Sequence, residues 1–456
     1  MAEAASGCRL IDIRLREVGA LAPRSFFRRA AASLDLFLRL GIQKKLEKHR
    51  GCVNTVGFNA DGNILISGSD DRMVMLWDWE FGTVKTSFHS GHTNNIFHAR
   101  FMPYTDDMTI VTCAADGEVR LAQLLDDGHV ARRTLAKHDK RVHKFAIEPG
   151  SPNLLYSCGE DGLVQQIDLR TQTATKLFKC KAIKDESNYV PILRLHAIAI
   201  DPRNPNHFSI AGSDEYARLY DVRKCNWDGK TCSNPIDCFC PPHLIGDEIV
   251  GITGLAFSDQ SELLVSYNSD LIYLFSKDQG LGSNPLLEAP MPSSMDIDSR
   301  EKKKNENSVY SSSEDSNSYC VLQAFGGHHN FNTVKGVSFL GPSCEYVASG
   351  SDSGHVFIWS KRNGKLLRVM EADKKVVNCV EPHPWLTMIA TSGIENDIKI
   401  WMPIAEESVA PVDVNQIMMH NEVDWFDNDD FDSDDDFEDE DDSMDDNDIN
   451  YSSDID

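Results

Sequence analysis

The sequence predicts an all-β protein: a closed seven-bladed propeller at residues 42–403, preceded by a helical arm at 1–41 and followed by a disordered acidic tail at 404–456. A short pattern recurs seven times along the chain. Within each copy apolar and polar residues alternate, which is typical of half-buried β-strands. Outside the repeats the composition shifts to Ser, Asn and acidic residues. These three observations together favour one repeat array with two flanking segments.

Each copy combines a turn of small and acidic residues with an apolar strand. The first copy reads SGSDD at residues 67–71 and VMLWD at 74–78. One strand position, the aromatic slot, is occupied in the seven copies by Trp77, Ala122, Ile167, Tyr220, Phe275, Trp359 and Trp401. The slots are spaced by 45, 45, 53, 55, 84 and 42 residues, and the shorter intervals match a four-stranded blade. The pattern resembles the WD40 family over residues 49–403, although a literal Trp-Asp in the slot occurs only at Trp77.

The ring is expected to close through its own N-terminal end. Residues 42–49 (IQKKLEKH) resemble residues 84–89 (VKTSFH), which precede the second blade, whereas strand-like sequence ends soon after Trp401. We therefore expect residues 42–49 to form the outer strand of the last blade, which leaves no open sheet edge.

A histidine precedes the first strand of several copies, at His49, His92, His138 and His328. The WD40 resemblance implies that such a histidine bonds a Ser or Thr and a turn aspartate of its blade, at Asp71, Asp116 and Asp161. These combinations look like hydrolase triads, but they recur at the repeat period, whereas catalysis needs one nucleophile beside one oxyanion hole. We therefore expect a structural role and no enzyme activity.

The charge and the apolar pattern exclude several classes of function. The chain has 45 basic and 71 acidic residues and a net charge of −26, which argues against direct binding of nucleic acid or of an anionic membrane. No apolar run reaches about 18 residues and the N-terminus lacks a signal-peptide pattern. With 12 scattered cysteines, an intracellular location in the nucleus, the cytoplasm or both is expected.

One cluster superficially offers metal ligands: Cys225, Cys232, Cys238, Cys240 and His243. Its spacing lacks the paired C-x₂₋₄-C hooks of structural zinc sites. The sequence therefore predicts no metal site and no cofactor.

Two further segments are expected to be disordered. Residues 281–319 are rich in Ser, Asn, Pro and charge, and they account for the 84-residue spacing. Residues 421–456 contain 19 acidic residues and no Lys or Arg. This tail either keeps the protein soluble or docks a basic partner such as a histone. Three serines before acidic residues are candidate phosphorylation sites: Ser433, Ser443 and Ser453.

Residues 25–41 (SFFRRAAASLDLFLRLG) predict one amphipathic helix, with Ser25 as a cap and Gly41 as its end. The helix either packs under the rim of the propeller or presents its apolar side to a partner.

Copies three and four end in Ile167-Asp168-Leu169-Arg170 and Tyr220-Asp221-Val222-Arg223. Both resemble the "WDXR" box of WD40 substrate receptors for cullin-4 RING ubiquitin ligases. The resemblance implies that Asp168, Arg170, Asp221 and Arg223 contact the damaged-DNA-binding adaptor. Copy three departs from the pattern because Ile167 fills the aromatic slot, which puts Arg170 in question. The structural alternative is that each arginine pairs with a neighbouring blade.

Longer stretches, including residues 334–359 (VKGVSFLGPSCEYVASGSDSGHVFIW) and the lead-in at 23–40, resemble the type-eight branch of the cullin-4-associated factors, in a plant-like form. This implies a non-catalytic receptor that reaches cullin-4 through the adaptor and presents a protein target for ubiquitination. It also implies a second adaptor contact through Leu36, Phe37 and Leu40. The alternative is a WD40 scaffold in chromatin or RNA processing whose acidic tail holds basic proteins.

The target itself is not readable from the sequence. Propeller targets usually lie on the face formed by the loops before the first strand of each blade. Four polar residues at roughly equivalent positions near the pore are candidates for this substrate face: Asn54, His196, Lys335 and Asn378.

Overall fold

The computed structural model of this chain describes residues 10–182, 192–225, 234–285 and 322–408. Within these ranges, 28 β-strands form seven four-stranded antiparallel sheets, and three short α-helices precede them. Each sheet is one blade, and in six of the blades the four strands are adjacent in chain order. The predicted seven-bladed propeller is therefore confirmed.

The N-terminal elements are α1 (Leu10–Glu17), α2 (Pro23–Ala30), α3 (Leu34–Leu38) and β1 (Leu40–Glu47). The first blade consists of β2 (Val53–Phe58), β3 (Leu65–Ser69), β4 (Met73–Asp78) and β5 (Thr83–His89). The second consists of β6 (Ile96–Phe101), β7 (Thr109–Ala114), β8 (Glu118–Leu124) and β9 (Val130–Lys137). The third consists of β10 (Lys144–Ile147), β11 (Leu154–Cys158), β12 (Leu163–Asp168) and β13 (Thr173–Lys179).

The fourth blade consists of β14 (Leu195–Ile200), β15 (His207–Gly212), β16 (Ala217–Asp221) and β17 (Asp237–Phe239). The fifth consists of β18 (Ile252–Phe257), β19 (Leu263–Tyr267), β20 (Ile272–Phe275) and β21 (Gln323–Phe325). The sixth consists of β22 (Val337–Leu340), β23 (Tyr346–Gly350), β24 (His355–Ser360) and β25 (Leu366–Glu371). The seventh contains β26 (Val377–Pro382), β27 (Ile389–Gly393) and β28 (Asp397–Pro403).

The seventh blade is completed by the N-terminal strand, as the sequence predicts. Strand β1 pairs antiparallel with β28 from Leu40 opposite Pro403 to Glu47 opposite Asp397. Leu46 on β1 is 1% exposed and packs with residues of the first and seventh blades. The strand begins two residues earlier than expected. The closing strand thus has an apolar anchor as well as its ladder of hydrogen bonds.

The blade interiors follow from the repeat pattern. All seven aromatic-slot residues are buried, including the two aliphatic ones, Ala122 at 3% and Ile167 at 0% exposure. The innermost strand of each blade contacts those of both neighbouring blades, so that the seven inner strands surround a central channel. In five of them the pairing with the second strand shifts register at the second residue, which forms a bulge. Bulges redirect a side chain and sharpen the local twist.

The single helix predicted for residues 25–41 is wrong. The chain forms two helices, α2 and α3, and Gly41 already lies in β1. Tertiary contacts override the helical periodicity: the hydroxyl of Tyr346 donates to the carbonyl of Ala32 at 3.1 Å, and the guanidinium of Arg368 donates to the carbonyls of Leu38 and Leu40. Helix α2 also begins at a proline, with Ala22 rather than Ser25 at the capping position.

Other predicted segments lie mostly outside the described residues. These are residues 286–319 of the insertion and residues 409–456 of the tail, with Ser433, Ser443 and Ser453. Their disorder and their phosphorylation stay predictions. In the part of the chain that the structure describes, no helix is long and apolar enough to cross a membrane.

Candidate protein-binding faces

The predicted site residues lie on two opposite faces of the ring. The first and third strands of a blade run in the same direction because both are antiparallel to the second. We call the face where the first strands begin the entry face, and the face where the third strands end the exit face. The substrate-face candidates belong to the entry face, whereas Arg170 and Arg223 follow third strands on the exit face.

Arg170 and Arg223 make the same contacts in consecutive blades. The backbone N–H of Arg170 donates to Asp168 Oδ1 at 2.9 Å, its Nε donates to the same oxygen at 3.2 Å, and its Nη2 donates to Oδ2 at 2.9 Å. The corresponding distances from Arg223 to Asp221 are 3.0, 2.9 and 2.6 Å. Each guanidinium therefore forms a two-pronged ion pair with the aspartate two residues before it. We call these pairs the Asp–Arg forks.

The forks leave the arginines accessible. The side chains of Arg170 and Arg223 are 64% and 62% exposed, and no hydrogen bond joins either Nη1 atom to another described residue. Hydrogen bonds from Arg223 lower the pKa of Asp221 to about 2, and those from Arg170 lower the pKa of Asp168. Neither arginine pairs with a neighbouring blade among the described residues. Although Ile167 fills the aromatic slot of the third blade, the Asp–Arg fork of that blade has the same contacts as the fork of the fourth blade.

The helical arm also lies on the exit face. Leu40 pairs with Pro403, the last residue of a third strand, so the arm leaves the ring there. The guanidinium of Arg24 lies 5.2 Å from the centre of the Trp385 ring, and Arg28 Nη2 donates to the carbonyl of Pro342 at 3.3 Å. Both partners belong to turns that follow a first strand, which places them on the same face. The arm therefore lies along the sixth and seventh blades.

Two of the three predicted adaptor contacts in the arm are covered by the propeller. Phe37 and Leu40 are 3% and 0% exposed, and the rings of Phe37 and Tyr346 are 4.5 Å apart. Leu36 is half-buried. In this arrangement Phe37 and Leu40 anchor the arm to its own blades instead of facing a partner. The exposed apolar side chains of the second and third helices are Phe27 at 42% and Leu34 at 40%.

The entry face brings the four predicted substrate-face residues to the mouth of the central channel, which encloses about 130 Å³. Asn54, His196 and Asn378 are bulge residues of their inner strands. Each also links two blades: Asn54 Nδ2 donates to the carbonyl of Ile96 at 3.0 Å, and His196 Nδ1 donates to that of Ile252 at 3.2 Å. The carbonyl of Asn378 accepts the N–H of residue 336 at 3.0 Å.

Lys335 is the exception to the predicted exposure. Its side chain is fully buried and its ammonium pairs with Asp352 and donates to the hydroxyl of Thr333 at 3.0 Å. Its ammonium is therefore already paired within the sixth blade, and its assignment to the substrate face stays a prediction. It takes part in holding the sixth blade.

The histidines before the first three blades form the expected internal networks. His49 Nδ1 lies 2.9 Å from Asp71 Oδ2 and its Nε2 lies 2.7 Å from the hydroxyl of Ser67, which also accepts from Trp77 Nε1 at 2.8 Å. His92 and His138 make equivalent contacts to their own aspartates and hydroxyls. A threefold repetition inside blades fits a structural role.

His328 departs from this pattern. Neither ring nitrogen has a hydrogen-bond partner among the described residues, and burial lowers the pKa of its imidazole to about 3. Instead its ring packs 5.5 Å from that of Trp359, whose Nε1 donates to the carbonyl of Gly326 at 2.9 Å.

The cysteine cluster separates in the structure. Cys225 packs in the core between the third and fourth blades, whereas Cys238 and Cys240 pack in the core between the fourth and fifth. His243 is exposed and pairs with Asp270 at 3.1 Å. Cys232 lies outside the described residues.

Sequence reasoning missed several residues at the same channel mouth: Phe97, His143, Glu160 and Thr253. Phe97 and Thr253 occupy the same bulge position as Asn54. A position-by-position alignment of the repeats contains the signal for Phe97 and Thr253, because each is the second residue of an inner strand.

Comparisons with known proteins agree with this architecture. The family model described as "WD domain, G-beta repeat" matches residues 41–78, 319–360 and 364–402. The chain therefore carries WD40 repeats, and a WD40 propeller is typically a non-catalytic binding scaffold.

Among the relatives, the chain is 33% identical over 287 residues to Protein ALTERED SEED GERMINATION 2 of Arabidopsis thaliana, covering 56% of this chain and 38% of that protein. It is 33% identical over 274 residues to the DDB1- and CUL4-associated factor 6 of Homo sapiens, covering 58% and 31%. It is 24% identical over 612 aligned positions to the human WD and tetratricopeptide repeats protein 1, covering 87% and 89%. The chain thus spans about a third of the length of the first two. Its likeness to a DDB1- and CUL4-associated factor agrees with the broader resemblance noted in the sequence.

Proposed function

Because the chain is a seven-bladed propeller that carries WD40 repeats, we propose that it is a substrate receptor of a cullin-4 RING ubiquitin ligase, related to the type-eight branch of the cullin-4-associated factors. It docks on the damaged-DNA-binding adaptor DDB1 through its exit face and presents a target protein for ubiquitination. The chemistry of ubiquitin transfer then belongs to other subunits. The nucleus and the cytoplasm are the compartments where we expect it to act.

The observation that carries this proposal is the pair of Asp–Arg forks. Two consecutive blades hold an arginine in the same geometry, at the same strand end and with the same exposure. An intrablade ion pair at the surface contributes little to stability, so its repetition favours a role in binding. Since each fork engages Nε and Nη2, the guanidinium is fixed before the partner arrives and less side-chain entropy is lost on binding.

The position of the arm also supports docking of DDB1 on the exit face. The arm and the forks both lie on the exit face, the arm on the sixth and seventh blades and the forks on the third and fourth. A partner that covers this face contacts both. Phe27 and Leu34 supply exposed apolar surface there, in place of the covered Phe37 and Leu40.

The entry face stays open for the target in this arrangement. Asn54, His196 and Asn378 surround the channel mouth on the side opposite the forks. A receptor that holds its adaptor on one face and its target on the other keeps the two binding events sterically separate.

Binding of the purified chain to purified DDB1, measured by biolayer interferometry, tests the proposal. Arginine hot spots at protein interfaces each contribute about 2 kcal/mol or more, so the double variant Arg170→Ala/Arg223→Ala should bind at least about 100-fold more weakly than the wild type. Arg141→Ala is the matched control, because Arg141 is exposed on the entry face, and it should bind like the wild type. Thermal melting confirms that each variant is folded.

Two results would contradict the proposal. A wild type that does not bind DDB1, or a folded double variant that binds it unchanged, overturns the proposal. In that case deletion of residues 421–456 tests the alternative scaffold function, in which the acidic tail binds histone-like proteins.

A further inference from the structure

Three titratable side chains converge at the channel mouth on the entry face: His143, Glu160 and His196. His143 directly precedes β10, Glu160 lies in the turn between β11 and β12, and His196 is the bulge residue of β14. Each offers one nitrogen or oxygen atom, and these three atoms lie within 4.8 Å of one another. All three residues are half-buried, so they are shielded and still reachable from the channel.

The surroundings fix the first imidazole. His143 Nε2 lies 2.6 Å from Glu160 Oε1. The ring of Phe97 stacks on the His143 ring with centroids 4.8 Å apart and an interplanar angle of 12°. The His196 ring approaches from the next blade at 5.4 Å and nearly at a right angle. The stacking with Phe97 fixes the plane of the His143 ring, and the His196 ring contacts that ring edge-on.

The second imidazole has a defined tautomer. Its Nδ1 lies 3.2 Å from the carbonyl of Ile252, and since a carbonyl only accepts, Nδ1 carries the proton. The Nε2 atom then keeps its lone pair. Histidines that bind metals commonly donate their other ring N–H to a backbone carbonyl in this way, which sets the ring orientation.

A metal ion at this point would take the place of a proton. His143 Nε2 and Glu160 Oε1 share one proton in their 2.6 Å hydrogen bond, and that proton is released when the metal binds, because a coordinating imidazole nitrogen and a coordinating carboxylate must both be deprotonated.

We propose that His143, Glu160 and His196 form a binding site for a divalent transition metal, zinc being the best match. Two imidazole nitrogens and one carboxylate oxygen are a ligand set that zinc accepts, with bonds of about 2.0–2.2 Å. Three protein ligands would leave a fourth position for a water or for a donor atom of a bound protein. The ion ties the third blade to the fourth on the entry face. The site is independent of DDB1 binding.

A second convergence of carboxylates does not fit a metal ion. Asp373, Glu395 and Asp397 also approach one another, but the ammonium of Lys399 lies among them at 2.6, 2.6 and 2.5 Å. That position already holds a cation.

Zinc titration of the full chain tests the site. The protein is purified without a polyhistidine tag, kept reduced, treated with EDTA and dialysed, and then titrated with ZnCl₂ by isothermal calorimetry and with CoCl₂ by visible absorption. The wild type should bind one equivalent with a Kd below about 10 μM, and Co²⁺ should give d–d bands of a site with nitrogen and oxygen ligands. His196→Ala and Glu160→Gln should each weaken binding at least about 100-fold, since each loses a direct ligand.

The matched control is His243→Ala, which removes an exposed histidine that pairs with a single carboxylate, Asp270. It should bind like the wild type. Thermal melting in EDTA shows whether each variant is folded. If His196→Ala is unfolded, the zinc affinity of Glu160→Gln alone tests the site. Absence of one-equivalent binding in the wild type overturns the proposal. Binding that persists in both ligand variants also overturns it, because the metal then binds elsewhere, for example to cysteine thiolates.

Discussion

In each of the first three blades a His–Asp network makes stability depend on one carboxylate, and Asp71→Asn isolates the first of these networks. Asp71 accepts hydrogen bonds from His49 Nδ1 at 2.9 Å and from the backbone N–H groups of Arg50 and Met73 at 3.0 and 2.9 Å. Burial alone raises the pKa of this carboxyl, but the hydrogen bonds outweigh burial and lower it to about 2. Asparagine keeps the shape and an acceptor oxygen but removes the charge.

The size of the effect follows from linkage. Folding lowers the pKa of Asp71 from 3.8 to about 2, which corresponds to about 2 kcal/mol of stability at pH 7. Because the folded pKa is depressed, this contribution is complete above the unfolded pKa and is lost as the pH falls through the folded pKa. At pH 3 about half of it remains. The side chain is only 11% exposed, so solvent screening reduces it little.

Urea unfolding, followed by tryptophan fluorescence, measures this difference. At pH 7 and pH 5 the free energy of unfolding of the variant should be about 2 kcal/mol below that of the wild type, and this difference should narrow to about half at pH 3. Asp126→Asn is the control, since Asp126 is exposed in the turn between β8 and β9, and it should change stability by less than about 0.5 kcal/mol. A gap that stays constant between pH 7 and pH 3 would refute the electrostatic reasoning.

Three further predictions concern the propeller itself. Leu46→Ala in the closing strand should cost about 2–5 kcal/mol in urea unfolding, because the buried side chain leaves a cavity; a loss below about 1 kcal/mol would mean that β1 contributes only hydrogen bonds. Ser67→Ala leaves the buried Trp77 N–H without its acceptor and the buried His49 Nε2 without its donor, and it should cost about 2–4 kcal/mol by the same assay, whereas the exposed Ser87→Ala should be nearly neutral. Lys399→Met leaves three carboxylates without their cation and should lower stability by about 3–5 kcal/mol; an unchanged melting temperature would contradict that role.

The repeat arithmetic predicted most of the fold because each blade is one local unit. Alternation and turn residues mark the strands, and the spacing of the slots from Trp77 to Trp401 marks the blades. Even the aliphatic residues Ile167 and Ala122 could be assigned to the aromatic slot, because the slot is defined by its position in the repeat more than by its residue type. Ring closure was predictable because the seventh copy lacks a fourth strand, whereas residues 42–49 resemble the fourth strand of a blade and precede the first copy.

What failed depended on contacts that are distant in sequence. Residues 25–41 have helical periodicity, but Tyr346 and Arg368, more than 300 residues away, fix the backbone that interrupts the helix. Lys335 has a pore-like position in the repeat, but its burial and its pairing with Asp352 could not be predicted from that position. The cluster of His143, Glu160 and His196 was missed for the same reason, since its members belong to two blades and share no sequence motif.

The pairing of β1 with β28 has a consequence for how the chain is made. Strand β1 leaves the ribosome before every other strand of the ring, but its partner β28 is the last of them, so β1 must wait until nearly 360 further residues have been synthesised. Until then the nascent propeller has a free edge on each side of the gap, and such edges are prone to aggregate. A chain that stops short of Pro403 cannot complete the blade however well the others are folded. Closure thus distinguishes a finished polypeptide from a truncated one, and unfinished chains carry the exposed strands by which quality control can detect them.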